Sequence, residues 1–210
     1  KPIATLTSCG PGSANILMAT EAAFVDSCAF LAITGNVDTA QFNRGPFQEA
    51  GRHYQADFPS VIRHFVKRSY QPTRPEMIPL TLRSAFRTML TGRTGPVNID
   101  LPFNVGSETA EVEIPEPGDW RIGINSRPQG NPEAVSAALD LLLNAERPLI
   151  FAGHGVTIGE GWEDLKELAE FLGIPLATTP NGAGLLDYRH ELSLGITGRN
   201  GTYQANQAAR

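Results

Sequence analysis

Cysteine is scarce. Only Cys9 and Cys28 occur in 210 residues, too few for a disulfide framework and at no metal-ligand spacing. Both are expected as buried free thiols in a reducing cytosol, so the expected location is cytoplasmic. The four histidines add little. No pair has a zinc-site spacing, so no metal ligand is assigned. His154, between two glycines at a strand exit, is the one that could face a ligand; His53, His64 and His190 read as surface or satisfied core residues. Runs of like charge are missing, and the net charge is −5, which argues against a nucleic-acid partner. No apolar run approaches membrane-spanning length, and no secretory pattern is present, so no membrane partner is expected. An initiator methionine is absent too. The chain opens on Lys1 just before an apparent strand and closes on Arg210 within an apparent helix. It reads as an internal piece of a longer protein.

What is present is an alternation of short apolar runs, glycine-rich turns and amphipathic stretches. With 41% hydrophobic residues the chain can bury a core in one or two domains. The pattern is organised around Thr7 to Asn15. Ile3 to Leu6 predicts a buried strand, and Ile16 to Phe24 a helix. Between them, Gly10 and Gly12 flank Pro11, which permits a sharp turn and close backbone approach, and Ser13 is placed to cap the helix. A strand, a tight turn and a helix start form the ligand-facing corner of an open α/β sheet. Further strands are predicted at Ala29 to Thr34, around Val61 to Tyr70, and at Pro96 to Leu101. Between the last two, Pro75 to Thr91 reads as a helix, with Ile78, Leu82, Ala85, Phe86, Met89 and Leu90 on one stripe, stopped by Gly92.

From about Gly106 to Arg127, glutamates and prolines alternate with small residues and read as an extended surface linker. The strand–helix alternation then restarts. Pro132 to Asn144 predicts a helix burying Val135, Ala138, Leu139, Leu142 and Leu143. Pro148 to Ala152 and Ile174 to Thr178 read as strands, Trp162 to Leu172 as a helix, and a further helix opens at Thr202. Gly153-His154-Gly155 and Gly182-Ala183-Gly184 are tight strand exits. The expected fold is α/β: two doubly wound, three-layer parallel-sheet units, residues 1–105 and 128–210, joined by a linker at 106–127.

Several short runs occur in a telling order: Ser8-Cys9-Gly10-Pro11-Gly12-Ser13-Ala14-Asn15, Ile33-Thr34-Gly35, Phe47-Gln48-Glu49-Ala50, Thr91-Gly92-Arg93-Thr94-Gly95-Pro96-Val97 and Asp100-Leu101-Pro102. Thr178-Thr179-Pro180-Asn181-Gly182-Ala183-Gly184 and Leu194-Gly195-Ile196-Thr197-Gly198 follow. Together they resemble the acetolactate synthase-like family of thiamine diphosphate enzymes. The resemblance implies that residues 1–105 are part of a pyrimidine-binding domain and that 128–210 are part of a central domain. It implies thiamine diphosphate and Mg²⁺ as cofactors, a small-molecule substrate, and a homodimer or homotetramer assembled through the pyrimidine-binding domain. Ser8, Pro11 and Asn15 match residues that line the pyrimidine pocket, at the corner shaped by Gly10 and Gly12. Phe47 and Gln48 match the pair that approaches cofactor and substrate; Gln48 would donate to a substrate carbonyl oxygen as charge builds there. The family's catalytic glutamate is expected upstream of Lys1 and its Mg²⁺ motif beyond Arg210, so this piece alone is expected to be inactive.

The resemblance also admits FAD, with Arg93 matching an arginine at the flavin nucleotide and Gly195 and Gly198 in a run that would receive phosphate. Three departures bear on substrate. Acetolactate synthases carry a lysine where this chain has Phe103, and a Met-His pair where it has Ile196-Thr197; Asn43-Arg44-Gly45-Pro46 replaces a usually acidic segment. The expected activity is therefore a carbon–carbon lyase or carboligase acting on a 2-oxo acid or related carbonyl, other than acetolactate synthesis itself. Sulfoacetaldehyde, glyoxylate and cyclic diketones are the alternative substrates, the last by hydrolysis. A non-catalytic nucleotide-binding α/β module is the alternative of another class.

Overall fold

Residues 30–36 and 97–102 contain no exposed position, so strands covered on both faces set the first unit. The structure is a computed structural model that describes residues 2–44, 57–116, 118 and 129–210. Two compact units divide the chain, Lys1–Arg127 and Pro128–Arg210. In the first, β1 (Ile3–Thr7), β2 (Phe30–Asn36), β3 (Ser69–Tyr70) and β4 (Val97–Pro102) form a wholly parallel sheet in the order β1-β2-β4-β3. Register pairs Leu31 with Val97, Ile33 with Ile99 and Thr34 with Asp100. Leu31, Val97 and Ile99 pack on Ala85 and Met89 of α4 (Ile78–Leu90), with Leu82, Phe86 and Leu90 partly buried beside them. The expected stripe is thus the buried one, after a short 3-10 turn at Pro75–Met77. Period-two alternation sends Thr34, Asn98 and Asp100 to the opposite face of the sheet.

Three expectations in this unit need correction. Helix formation starts earlier than Ile16: α1 (Pro11–Asn15) precedes α2 (Leu17–Val25). Ser13 therefore lies inside α1 and caps nothing; the cap residue is Gly10. β1 is present but not buried, since it pairs with β2 alone and Ile3 and Leu6 are exposed. Of the strand expected around Val61 to Tyr70, Val61 and Ile62 close helix α3 (Phe58–Ile62), residues 63–68 are turn and irregular chain, and only Ser69–Tyr70 is strand. The local chemistry explains this: the Asp57 side chain accepts from the Ser60 N–H, Pro59 suits the first turn, and Phe58 and Ile62 share one buried face. A short helix α5 (Phe103–Ser107) follows β4 directly. Residues 108–116 carry no helix or strand.

The second unit has a three-stranded parallel sheet, β5 (Ile150–Ala152), β6 (Leu176–Thr178) and β7 (Ser193–Ile196), in that order. Its helices are α6 (Pro132–Leu143), α7 (His154–Ile158), α8 (Trp162–Leu172) and α9 (Tyr203–Ala208). Asn131 caps α6 by accepting from Glu133 and Ala134, and Gly173 ends α8 in the left-handed region at φ 63°. α6 forms where its pattern predicts, but its apolar face is not buried: Val135 is 57%, Leu139 47% and Leu143 61% exposed. The core is built instead from Ala152, Ala169, Leu176, Leu185 and Leu186, to which α6 contributes nothing.

Candidate cofactor site

Parallel strands all end on the same edge of their sheet, so loops leaving β1, β2 and β4 converge. They enclose a cavity of about 940 Å³. Its walls come from Leu6 to Cys9 at the end of β1, from Gly35 to Asp38 and Gln41 at the end of β2, and from Leu101 to Phe103 with Gly106 and Ser107, at the end of β4 and in α5.

The β1 corner holds its shape through close packing. Gly10 has φ 59°, which a side chain would resist. A Cβ on Gly12 would stand 2.4 Å from Ser8 Oγ, and one on Gly35 3.1 Å from the Cys9 nitrogen. Ser13, fully buried, donates its hydroxyl toward the Ser8 carbonyl at 3.0 Å and the Gly35 carbonyl at 3.2 Å. The serine therefore clasps the β1 exit to the β2 exit. Of the corner residues named from sequence, Ser8 lines the cavity; Gly10, Pro11, Gly12 and Asn15 stand beside it without lining it. Phe47 and Gln48 lie outside the described residues.

Beneath the cavity floor is a polar network absent from the sequence-derived site. Asp100 is fully buried on β4. Its carboxylate accepts from Thr34 Oγ1 at 3.0 Å, Asn36 Nδ2 at 2.6 Å and Gln71 Nε2 at 2.8 Å. Asn98 Nδ2 donates to Thr34 Oγ1 and to the Ala32 carbonyl, and its Oδ1 accepts from Ser69. Burial pushes the Asp100 carboxyl up to about 6, against the three hydrogen bonds that favour its charge. Asn36 passes the order on: its Oδ1 accepts from the Val37 N–H at 2.8 Å. Further along the same loop, the Thr39 N–H donates to Asn104 Oδ1 at 3.0 Å and Asn104 Nδ2 reaches Thr39 Oγ1 at 3.2 Å. The signal for this network was the polar alternation Asn98, Asp100 inside a strand that a parallel sheet must bury.

Two polar atoms in the cavity wall, Thr7 Oγ1 and Asp38 Oδ1, are buried and have no hydrogen-bond partner among the described residues. Buried polar atoms of this kind call for a partner. Leu6, Val37 and Pro102 offer apolar surface to the faces of a heteroaromatic ring, while Thr7 Oγ1 and Asp38 Oδ1, which have almost no accessible surface, meet an amino group or ring nitrogen only once their side chains turn toward the cavity.

The residues named for a flavin serve local structure here. Arg93 Nε donates to Ser27 Oγ at 2.6 Å, and its Nη2 to the Val25 carbonyl at 2.8 Å, at the C-terminus of α2. Gly195 and Gly198 take φ 86° and 101°. A Cβ on Gly195 would lie 2.7 Å from Thr202, and Asn206 brackets Gly198 by bonding both its N–H and its carbonyl. His154 Nδ1 lies 3.2 Å from the Asn181 carbonyl, and His190 bonds Glu170. Cys28 is exposed and Cys9 half-buried in the cavity wall, correcting the expectation of two buried thiols; both sit outside the helices and strands. Among the described residues no cluster of three or more His, Cys, Asp or Glu could hold a metal, and no helix is long and apolar enough to cross a membrane.

Residues 135–210 match the family described as thiamine pyrophosphate enzyme, central domain. The "Probable acetolactate synthase large subunit" of Methanocaldococcus jannaschii is 37% identical over 97% of this chain and 34% of its own length. The acetolactate synthase of Arthrospira platensis is 35% identical over 97% of this chain and 35% of its own. The acetolactate synthase large subunit of Corynebacterium glutamicum is 33% identical over 95% of this chain. The parallel α/β units and these matches define a chain from the thiamine diphosphate-dependent enzymes. Within them it belongs to the acetolactate synthase-like family, and it spans about a third of the length of the curated relatives it matches.

Proposed function

We propose that this chain is part of a thiamine diphosphate-dependent carbon–carbon lyase or carboligase acting on a 2-oxo acid or related carbonyl compound, and that the cavity takes the aminopyrimidine end of the cofactor. The observation that carries this reading is the cavity at the strand ends with Thr7 Oγ1 and Asp38 Oδ1 unmatched in its wall. When bound, thiamine diphosphate supplies the nucleophilic carbon and the electron sink. The chain's own contribution is binding and orientation. Asp38 would accept from the ring amino group, Thr7 would bond a ring nitrogen, and the Gly10 to Ser13 corner would bring backbone close to the ring. Gln48 would donate to the substrate carbonyl oxygen. The proton-relaying glutamate and the Mg²⁺ and diphosphate ligands are assigned to parts of the complete protein outside this chain, which would assemble as a homodimer or homotetramer in the cytoplasm.

The relatives bear the name acetolactate synthase; the departures at Phe103 and Ile196-Thr197 favour a different carbonyl substrate. FAD rests on the resemblance at Arg93, Gly195 and Gly198 alone, and flavin absorption near stoichiometry in the complete protein is its test. Titration of the complete protein with thiamine diphosphate and Mg²⁺ tests the main reading, followed by assay with pyruvate, glyoxylate, sulfoacetaldehyde and a cyclic diketone. Saturable cofactor binding weakened by Asp38→Ala is the expected result. A protein that takes up ADP but no thiamine diphosphate is a nucleotide-binding module instead. Gln48→Ala should lower turnover by about 10²–10³ with cofactor affinity unchanged; normal turnover removes Gln48 from the chemistry.

A further inference from the structure

We propose that Asp100 is a positioning residue of this cavity: from beneath the floor it fixes Asn36, and through Asn36 the loop Val37 to Gln41 that forms one wall. The inference rests on the reading of the cavity as a cofactor site. Asp100 reaches the ligand only through other groups, since it is fully buried and absent from the lining, whereas Asn36, Val37, Asp38 and Gln41 all line the cavity. The link is directional. Asn36 Nδ2 donates to the Asp100 carboxylate at 2.6 Å, which turns Asn36 Oδ1 toward the Val37 N–H, where it accepts at 2.8 Å. A bond to a charged acceptor is about twice as strong as a neutral one. It fixes the amide in one of its two orientations. Asn104 pins the same loop at Thr39, so the segment is held at both sides of Asp38, whose Oδ1 is the unmatched acceptor. Thr34 bonds the same carboxylate but makes no link to this loop, and so provides an internal control.

The test uses the complete protein in three variants, Asp100→Leu, Asp100→Asn and Thr34→Val, above neutral pH. Asp100→Leu removes the acceptor that Asn36 Nδ2 faces; Asp100→Asn keeps one, since its amide oxygen can face Asn36 and Gln71 while its NH₂ faces the Thr34 hydroxyl, which can accept. Two readouts are taken: affinity for thiamine diphosphate with Mg²⁺, and hydrogen exchange of the segment 37–41. Asp100→Leu should weaken cofactor affinity about tenfold or more, as misplacement of a wall does, and speed exchange in that segment. Asp100→Asn should recover most of both. Thr34→Val should lower the melting temperature while leaving both near the original. Unchanged exchange in Asp100→Leu overturns the inference, as does an Asp100→Asn variant that folds yet fails as badly as Asp100→Leu. If the unaltered protein binds no thiamine diphosphate, the cofactor reading falls, and exchange in the segment 37–41 still decides the role of Asp100.

Discussion

A carboxylate buried among neutral donors makes stability depend on pH in an unusual direction. Asp100 is pushed up from 3.8 to about 6, first by burial. Between those values the folded chain holds a proton that the unfolded chain has released. Stability contributed by this group therefore falls as pH rises through that window, by at most about 3 kcal/mol, and stays lowered above it. Ordinary surface carboxylates give no such fall. Denaturant midpoints measured across the window should show it as a difference between the unaltered protein and Asp100→Asn; parallel pH profiles would mean the group titrates normally. Ser13 is the second residue whose role is set by burial. Its hydroxyl bridges two carbonyls from different strand exits, so Ser13→Ala should cost about 1–2 kcal/mol in chemical denaturation. A cost near zero would mean that the packing of Gly12 and Gly35 alone holds the corner. Asp100 was visible in the sequence as a polar residue in a buried strand. Its partners were not, because Thr34 and Asn36 lie more than sixty residues away and Gln71 twenty-nine.

At the scale of elements, local pattern was a good guide where one face of a helix meets one face of a sheet. The α4 stripe and the α8 boundaries follow from periodicity, and the parallel strands from their short apolar runs. It failed where burial is decided elsewhere. α6 has the periodicity of a core helix, yet its stripe is exposed because the unit's core is closed by α8 and the Leu185-Leu186 segment. The strand expected around Val61 to Tyr70 overlaps α3 at Val61 and Ile62, where the Asp57 cap and Pro59 in the first turn hold the chain helical. Glycine chemistry separates the turns further. A Cβ on Gly201 would stand 2.2 Å from the Ile196 carbonyl oxygen, a backbone atom that cannot swing aside. Gly155 lies in α7 with nothing within 4 Å of its Cβ position. Gly201→Ala should thus destabilise by about 2 kcal/mol or more, while Gly155→Ala should stabilise by about 0.5–1 kcal/mol through lost freedom of the unfolded chain. Thermal melts of the two variants that shift in the same direction would refute the distinction between a packed and an open glycine.

The whole molecule poses the question of what completes the cavity. Its walls are built from the ends of β1, β2 and β4 and held by bonds between distant residues, while its rim is apolar and open. Phe103 stands at that rim, 72% exposed, at the start of α5. Phe103 and the exposed Leu6 both line the cavity and give it an apolar mouth, the kind of surface that serves as an interaction site. The proposed assembly supplies a cover: a second subunit closing over the cofactor. The lysine that the resemblance places at this position would meet that cover with a charge; Phe103 would meet it with a ring. Phe103→Asp in the complete protein should then shift sedimentation toward smaller species and weaken thiamine diphosphate affinity in step. The melting of the dissociated subunit should be little affected, since the ring makes little contact within its own chain. The concentration dependence of cofactor binding discriminates further, because a site completed by a partner weakens on dilution and a site complete in one subunit does not. If Phe103→Asp sediments as the unaltered protein does and binds cofactor equally well at every dilution, the rim of the cavity is not a subunit interface.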